Sequence, residues 1–253
     1  MYTNYFSSII LAAGEGKRMK SNLPKVLHKL NGRPLVEYVV ETAKESGADP
    51  IIAVVGYKRE LVMNCLGDSV QYAVQAEQKG TGHAALMTET LLKDFPGEVM
   101  ILSGDVPLLR PETIRAMAEL HRCEGNTCTL LSCVFDDPAG YGRIIRGVSG
   151  EVLAIIEHKD AADEQRTIKE INSGIYLVKP APMFQSLHTL KNDNEQGEYY
   201  LTDIIADFVA KGMRVGGYIV EDPLEIAGVN SIQQLKEMEI EYLKRNSEAP
   251  SEI

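Results

Sequence analysis

No stretch of this chain approaches the roughly 20 consecutive apolar residues that a membrane helix needs. The N-terminus also lacks a basic segment leading into an apolar run and a cleavage site. A cytoplasmic protein that makes no use of a membrane is expected. Cysteine is scarce: Cys65, Cys123, Cys128 and Cys133 form no C-x-x-C pair and have no histidine at metal-ligand spacing. That pattern speaks against zinc and for buried, reduced thiols. Positive charge is in deficit, with 26 Lys and Arg against 36 Asp and Glu and a net charge of -10. Nucleic-acid binding by counterion release needs clustered cations, which are missing here. No internal repeat is visible, and no hexapeptide solenoid follows the last helical segment.

What remains is ordinary soluble-protein material, 253 residues of which 44% are hydrophobic and 25% charged, enough for one large core. Apolar periodicity predicts strands at Ser7–Leu11, Ile51–Val55, Val70–Val74 and Val99–Leu102. Helices alternate with them at Leu35–Ser46, Lys58–Cys65, Gly82–Leu92 and Pro111–His121. This rhythm predicts an α/β, Rossmann-like fold with a mainly parallel mixed sheet and helices on both faces. Ligands then bind beyond the carboxyl ends of the strands.

From Thr127 the pattern changes to strands joined by turns, at Thr127–Phe135, Gly142–Ile145, Val152–Ile156 and Gly174–Val178. A β-rich insertion over about residues 127–178 is expected to carry a second substrate. Helices return at Ala181–Leu190 and Leu201–Lys211, then a strand at Val215–Val220. Residues 1–230 thus form the main domain. Residues 231–253 add a helix from Ser231 to about Lys244 and a tail, Asn246–Ile253, expected to fray.

The segment Leu11-Ala12-Ala13-Gly14-Glu15-Gly16-Lys17-Arg18-Met19, followed by Pro24-Lys25, joins the first strand to a glycine-rich loop with cations. Small residues let backbone amides approach phosphate oxygens, and Arg18 and Lys25 supply charge. Neither a Walker loop nor the dinucleotide fingerprint fits this spacing, so a different phosphate chemistry is implied. In Gln75-Ala76-Glu77-Gln78-Lys79-Gly80-Thr81-Gly82-His83, the glutamine can read a base edge and Gly80-Thr81 can offer amides to a ring carbonyl. A surface loop with Thr81 as N-cap fits the same residues.

Gly104-Asp105-Val106-Pro107 places a carboxylate at a strand end, where Mg2+ binds through one or two carboxylates and phosphate oxygens. A turn aspartate is the alternative. Tyr141-Gly142-Arg143, Glu157-His158-Lys159 and Asn172-Ser173-Gly174 offer donors and acceptors suited to a sugar. Arg143 and Lys159 read equally well as solvated charges, and His158 as structural. Thr202 or Asp203 caps a helix, and Asn230 is either a turn residue or a second oxygen for the metal of Asp105.

Taken in order, L-A-A-G-E-G-K-R-M, P-K-V-L, Q-A-E-Q-K-G-T-G-H-A, G-D-V-P-L, D-P-A-G-Y-G-R-I, E-H-K-D-A, E-I-N-S-G-I, Q-G-E-Y-Y-L-T-D-I-I and G-V-N resemble the sugar nucleotidyltransferases across nearly the whole chain. The resemblance is greatest to the uridylyltransferase half of the bacterial bifunctional UDP-N-acetylglucosamine pyrophosphorylases/glucosamine-1-phosphate acetyltransferases. It implies that UTP and N-acetylglucosamine 1-phosphate react to give UDP-N-acetylglucosamine and pyrophosphate.

By the same resemblance Leu11, Ala12, Ala13, Gly14, Gln75, Gly80 and Thr81 hold the uridine nucleotide. Gly142, Glu157, Asn172 and Asn230 hold the amino sugar, Arg18 and Lys25 act on the triphosphate, and Asp105 with Asn230 binds Mg2+. Bifunctional members continue into a left-handed β-helix that performs acetyl transfer, so that activity is expected to be absent here, and a monomer is expected. Many relatives also have an arginine directly after the asparagine, where this chain has Ser231. Hydroxyl stereochemistry is one hydrogen bond, often ~1–3 kcal/mol. Another hexose 1-phosphate therefore stays open as substrate. Non-catalytic nucleotide-sugar binding is the further alternative, against which stand Arg18, Lys25 and Asp105.

Overall fold

The first strand, Phe6–Ala12 (β1), is buried along its length except for half-buried Leu11. Its side chains alternate between two cores, Ile9 entering one and Ile10 the other. A strand apolar on both sides belongs in the middle of a covered parallel sheet. The structure, a computed structural model describing residues 6–248, places it there.

A short hairpin of Lys29–Leu30 (β2) and Arg33–Pro34 (β3) leads into helix Leu35–Glu45 (α1). Then follow Ala48–Val55 (β4), Arg59–Leu66 (α2), Gln71–Val74 (β5), Thr81–Leu86 (α3), Glu89–Leu92 (α4), Glu98–Ser103 (β6) and Pro111–Glu124 (α5). The second half comprises Cys128–Val134 (β7), Arg143–Arg146 (β8), Val152–Ile156 (β9), Asp163–Arg166 (α6), Glu170–Val178 (β10), Pro180–Leu187 (α7), Asp203–Ala210 (α8), Val215–Ile219 (β11) and Ile232–Glu248 (α9).

Among the described residues the main sheet runs β11-β7-β10-β6-β1-β4-β5, with β8 and β9 attached to β10. β1 is parallel to both β4 and β6, and β4 is parallel to β5. β10 is antiparallel to β6 and β7, which makes the sheet mixed. Side chains of α1, α2 and α5, such as Val36, Val62 and Met117, pack one face. Those of α3, α4, α7 and α8, such as Ala85, Leu92, Phe184 and Phe208, pack the other. The carboxyl ends of β1, β4, β5 and β6 consequently share one edge.

The expected β-rich insertion over 127–178 is not a separate body. β7 and β10, which bound it, lie within the main sheet, and only β8, β9 and α6 are added outside its path. Their long apolar runs had to be buried on both faces, and the sheet is where that is possible. The helix expected over 82–92 is two pieces. Thr88, fully buried, donates its hydroxyl proton to the Ala85 carbonyl at 2.7 Å, and Thr88 N bonds the same oxygen at 3.1 Å, closing the turn that separates α3 from α4.

The last helix reaches Glu248, beyond the expected Lys244, and residues 249–253 of the predicted frayed tail lie outside the described residues. All four cysteines are free thiols, but only Cys128 and Cys133 are buried. Cys65 is half-buried and Cys123 exposed on the polar side of α5, where periodicity alone did not separate it from the core positions. No helix among the described residues is long and apolar enough to cross a membrane.

Candidate active site

The loop after β1 is shaped by two glycines with different jobs. A Cβ on Gly14 would meet nothing within 4 Å, so the backbone there stays open to an approaching ligand. Gly16 has φ 72°, and a Cβ on it would sit 2.5 Å from Lys25 Cβ. Only glycine lets the loop turn so close to the Pro24-Lys25 segment. Met19, in the turn Lys17–Met19, is 2% exposed and packs with Leu30, Leu35, Val229, Leu235 and Met238. This small core fastens the loop to α9 and to the segment before Asn230.

Four predicted residues converge as a result. Lys25 Nζ donates to Asp105 Oδ2 at 2.6 Å and to Asn230 Oδ1 at 3.2 Å. Arg18 Nη2 donates to the same Asn230 oxygen at 2.8 Å. Asp105 is held from behind: Gly104 N donates to the Leu11 carbonyl at 3.0 Å, and Val229 N donates to the Asp105 carbonyl at 3.0 Å. Two oxygens thus already share one cation, the Lys25 ammonium. Among the described residues no three His, Cys, Asp or Glu side chains form a metal cluster. A pair of hard oxygen donors suits a divalent ion completed by phosphate oxygens.

Two neighbours of this cluster, Gly228 and Tyr141, lie inside motifs quoted above that were not assigned to it. A Cβ on Gly228 would lie 3.1 Å from Asp105 Oδ2, so the glycine gives the carboxylate its room. Tyr141 stacks edge-on against Phe135 at 5.1 Å. Burial pushes its phenol above the usual range, the Gly228 backbone opposes that, and Asp105 adds to it. The motifs that hold Gly228 and Tyr141 do not show their place beside Asp105, because it depends on contacts with distant segments.

At the edge of the site beyond β4 and β5, Gln75 N bonds the Val55 carbonyl at 2.8 Å and Tyr57 N bonds the Ala13 carbonyl at 3.0 Å. Gln75 is 3% exposed. Its Nε2 donates to the Gly80 carbonyl at 3.0 Å and meets His83 Nδ1 at 3.1 Å. Gly80 has φ 107°, and a Cβ there would lie 2.5 Å from the Tyr199 carbonyl oxygen. The tie is reciprocal, Tyr199 N to the Lys79 carbonyl and Gly82 N to the Tyr199 carbonyl, each 2.8 Å. Thr81 is not the N-cap that the sequence allowed. Its hydroxyl accepts from Leu201 N at 3.0 Å, and Gly80 holds the cap position.

The sugar candidates meet where β10 bends between Asn172 and Tyr176. Asn172 N donates to the Gly142 carbonyl at 2.9 Å, and its Nδ2 donates to the Tyr176 hydroxyl at 2.7 Å. A Cβ on Gly142 would lie 3.5 Å from the Ile156 carbonyl, next to Glu157. Arg143 is not a solvated charge: at 1% exposure it donates to the carbonyls of Tyr141 and Arg166. Lys159 is on the surface, bonded to Gln196 Oε1 at 3.0 Å.

Thr202, expected as a helix cap, instead donates its hydroxyl proton to Glu157 Oε1 at 3.3 Å, and no side chain caps α8. Beside Glu157 opens a cavity of about 360 Å³, lined also by Asp160, Asn194, Tyr200 and Asp203. Arg18, Lys25, Asp105 and Asn230 lie outside it.

Burial raises the Glu157 carboxyl above its usual range. The Thr202 bond opposes this, while Asp160 and Asp203 reinforce it. A carboxyl with a raised native pKa stabilises the fold below its unfolded pKa, and that contribution is lost as pH rises through the native one. Glu157→Gln is therefore expected to raise the melting temperature at pH 8 by about 2–4 °C, what ~1 kcal/mol is worth in a chain of this size. The gain should vanish toward pH 4. Melting curves at both pH values check this, and an equal shift at both would assign the effect to packing.

A model of the MobA-like NTP transferase domain matches residues 8–202. "Bifunctional protein GlmU" of Caldanaerobacter subterraneus subsp. tengcongensis is 51% identical over 95% of this chain and 52% of its own length. The protein of the same name from Acetivibrio thermocellus is 49% identical over 91% of this chain and 50% of its own length. The chain thus spans about half the length of these relatives. Among solved structures, a UDP-glucose pyrophosphorylase complexed with UDP-glucose superimposes with a TM-score of 0.75 at 22% identity, covering 94% of this chain and 98% of that one. This likeness concerns the fold.

Proposed function

The chain belongs to the MobA-like NTP transferase domain family, and from that premise we propose that it is a uridylyltransferase. It joins UTP to N-acetylglucosamine 1-phosphate and releases pyrophosphate. The observation that carries this reading is the convergence of Arg18, Lys25, Asp105 and Asn230 beyond the ends of β1 and β6. The ordered motifs that resemble the uridylyltransferases support the choice of nucleotide and amino sugar, and the chain is 51% identical to a protein named bifunctional GlmU.

In this reaction an oxygen of the sugar phosphate bonds to the α-phosphorus as the bond to the β-phosphate oxygen breaks. The nucleophile is already an anion, so no side chain need remove a proton. Alignment and charge neutralisation carry the catalysis. Leu11 to Gly14 offer backbone to the nucleotide, with Gln75, Gly80 and Thr81 at the base. Lys25 and Arg18 neutralise charge on the phosphates. Gly142 before β8, Glu157 after β9 and Asn172 in β10 bind the N-acetylhexosamine with an acceptor and donors.

Asp105 and Asn230 would hold Mg2+, whose chemistry is to neutralise phosphate charge. With Asp105 so engaged, the Lys25 ammonium is available to phosphate oxygens. The enzyme works in the cytoplasm, where nucleoside triphosphates are made.

Pyrophosphate release from UTP and Mg2+ with a panel of sugar 1-phosphates tests the proposal. Release that depends on N-acetylglucosamine 1-phosphate is expected, with glucose and N-acetylgalactosamine 1-phosphates poorer. Release without any sugar, or nucleotide binding without release, would overturn it.

A further inference from the structure

Gln75 is too buried for water to decide which way its carboxamide points. Its neighbours decide. The Gly80 carbonyl can only accept, so the amide turns its nitrogen, not its oxygen, toward Gly80 at 3.0 Å. The same nitrogen lies 3.1 Å from His83 Nδ1, which must then be the unprotonated, accepting nitrogen of a neutral ring. Burial and the Lys79 charge hold the imidazole below its usual pKa, against the opposing influence of Glu77, in keeping with a neutral ring. Gly80 and the start of α3 are pinned to Tyr199 and Leu201, so both acceptors sit on a fixed frame.

We propose that His83 is a positioning residue that sharpens base selectivity: by accepting from Gln75 Nε2 it adds a second acceptor to the Gly80 carbonyl in holding the carboxamide one way round, and the site takes uracil in preference to cytosine. This rests on the nucleotide reading above. Uracil presents a donor at N3 and an acceptor at C4, and cytosine presents the reverse at both positions. A carboxamide locked in one orientation therefore separates the two bases whichever position it meets. One free to turn over would serve both. A histidine with its proton moved to Nδ1 would support the reversed amide, and the Gly80 carbonyl, which can only accept, opposes that arrangement.

Three variants of the full chain separate this role from packing. Aspartate at position 83 offers only acceptors, asparagine offers an acceptor and a donor, and leucine offers neither. The ratio of kcat/KM for UTP to that for CTP, with N-acetylglucosamine 1-phosphate as acceptor, is the readout. His83→Leu and His83→Asn are expected to lower the ratio about tenfold, the scale of one neutral hydrogen bond. His83→Asp should keep it close to the parent value.

If the leucine variant does not fold, the asparagine variant, similar in shape to the imidazole it replaces, carries the test. A ratio unchanged in the leucine and asparagine variants overturns the role of His83 while leaving the uridylyltransferase reading intact. An equal fall in the aspartate variant does the same, because the effect would then be packing. A parent protein that does not distinguish UTP from CTP overturns the selectivity proposal, and one that turns over neither overturns both readings.

Discussion

Lys25→Ala is expected to lower kcat by about 10²–10³, the range found when one preorganised donor is removed from developing negative charge. In the free protein the ammonium is held by Asp105 at 2.6 Å and Asn230 at 3.2 Å, at the end of the sheet where the phosphates are to arrive. Its charge matters most as negative charge gathers on departing pyrophosphate, so the loss should fall on kcat more than on KM for UTP. The fold should survive. Alanine keeps the Cβ that packs against Gly16, and buried Val26 and Leu27 hold the turn that Pro24 begins. The ion pair itself is partly open to water and is worth at most about 1 kcal/mol to stability. Stopped-time pyrophosphate assays and a thermal melt together make the check. Near-normal turnover by a folded variant removes Lys25 from the mechanism.

The place of Arg18, Lys25 and Asp105 beyond the strand ends was legible in the sequence because its logic is local. A buried strand, small residues at its end and a cation a few positions later are read directly from Leu11 to Lys25. In a parallel sheet every such end falls on one edge. Asp105 follows by the same rule from β6. The alternation of strand and helix over the first half likewise gave the sheet and the two covered faces, since β1 and β4 could only be central.

What local pattern did not carry was partnership across the chain. Thr81 has the composition of a cap, yet its hydroxyl serves Leu201, 120 positions away. Thr202 also looked like a cap and is committed to Glu157. Arg143 looked like a surface charge because nothing in its neighbours announces that carbonyls of Tyr141 and Arg166 will receive it. β7 and β10 were assigned to an insertion because turns surround them. Their place was fixed by the pairing of Tyr176 with Leu130 and Ile101, a tertiary choice. Gly228 is the plainest case: its missing side chain matters only because Asp105 lies opposite.

Asp105→Asn is expected to cost as much as the loss of Lys25, about 10²–10³ in turnover at saturating UTP, with a higher Mg2+ concentration needed for half-maximal rate. The two effects have one cause. Asp105 faces the shared cation with a single neutral companion, Asn230, and no three acidic, histidine or cysteine side chains cluster among the described residues. Replacing its charge leaves two carboxamides, which compete poorly with water for a small hard ion. Asparagine preserves shape, and the bond from Val229 N goes to the Asp105 backbone carbonyl, so the segment carrying Asn230 should stay in place. Lys25 keeps Asn230 as an acceptor. A metal role thus predicts a shifted Mg2+ dependence, whereas a purely structural role for the Lys25 pair predicts a slower enzyme with the parent's dependence. Initial rates across a Mg2+ titration decide between them. An unshifted half-saturation point would return Asp105 to the task of holding Lys25, with Asn230 at its side.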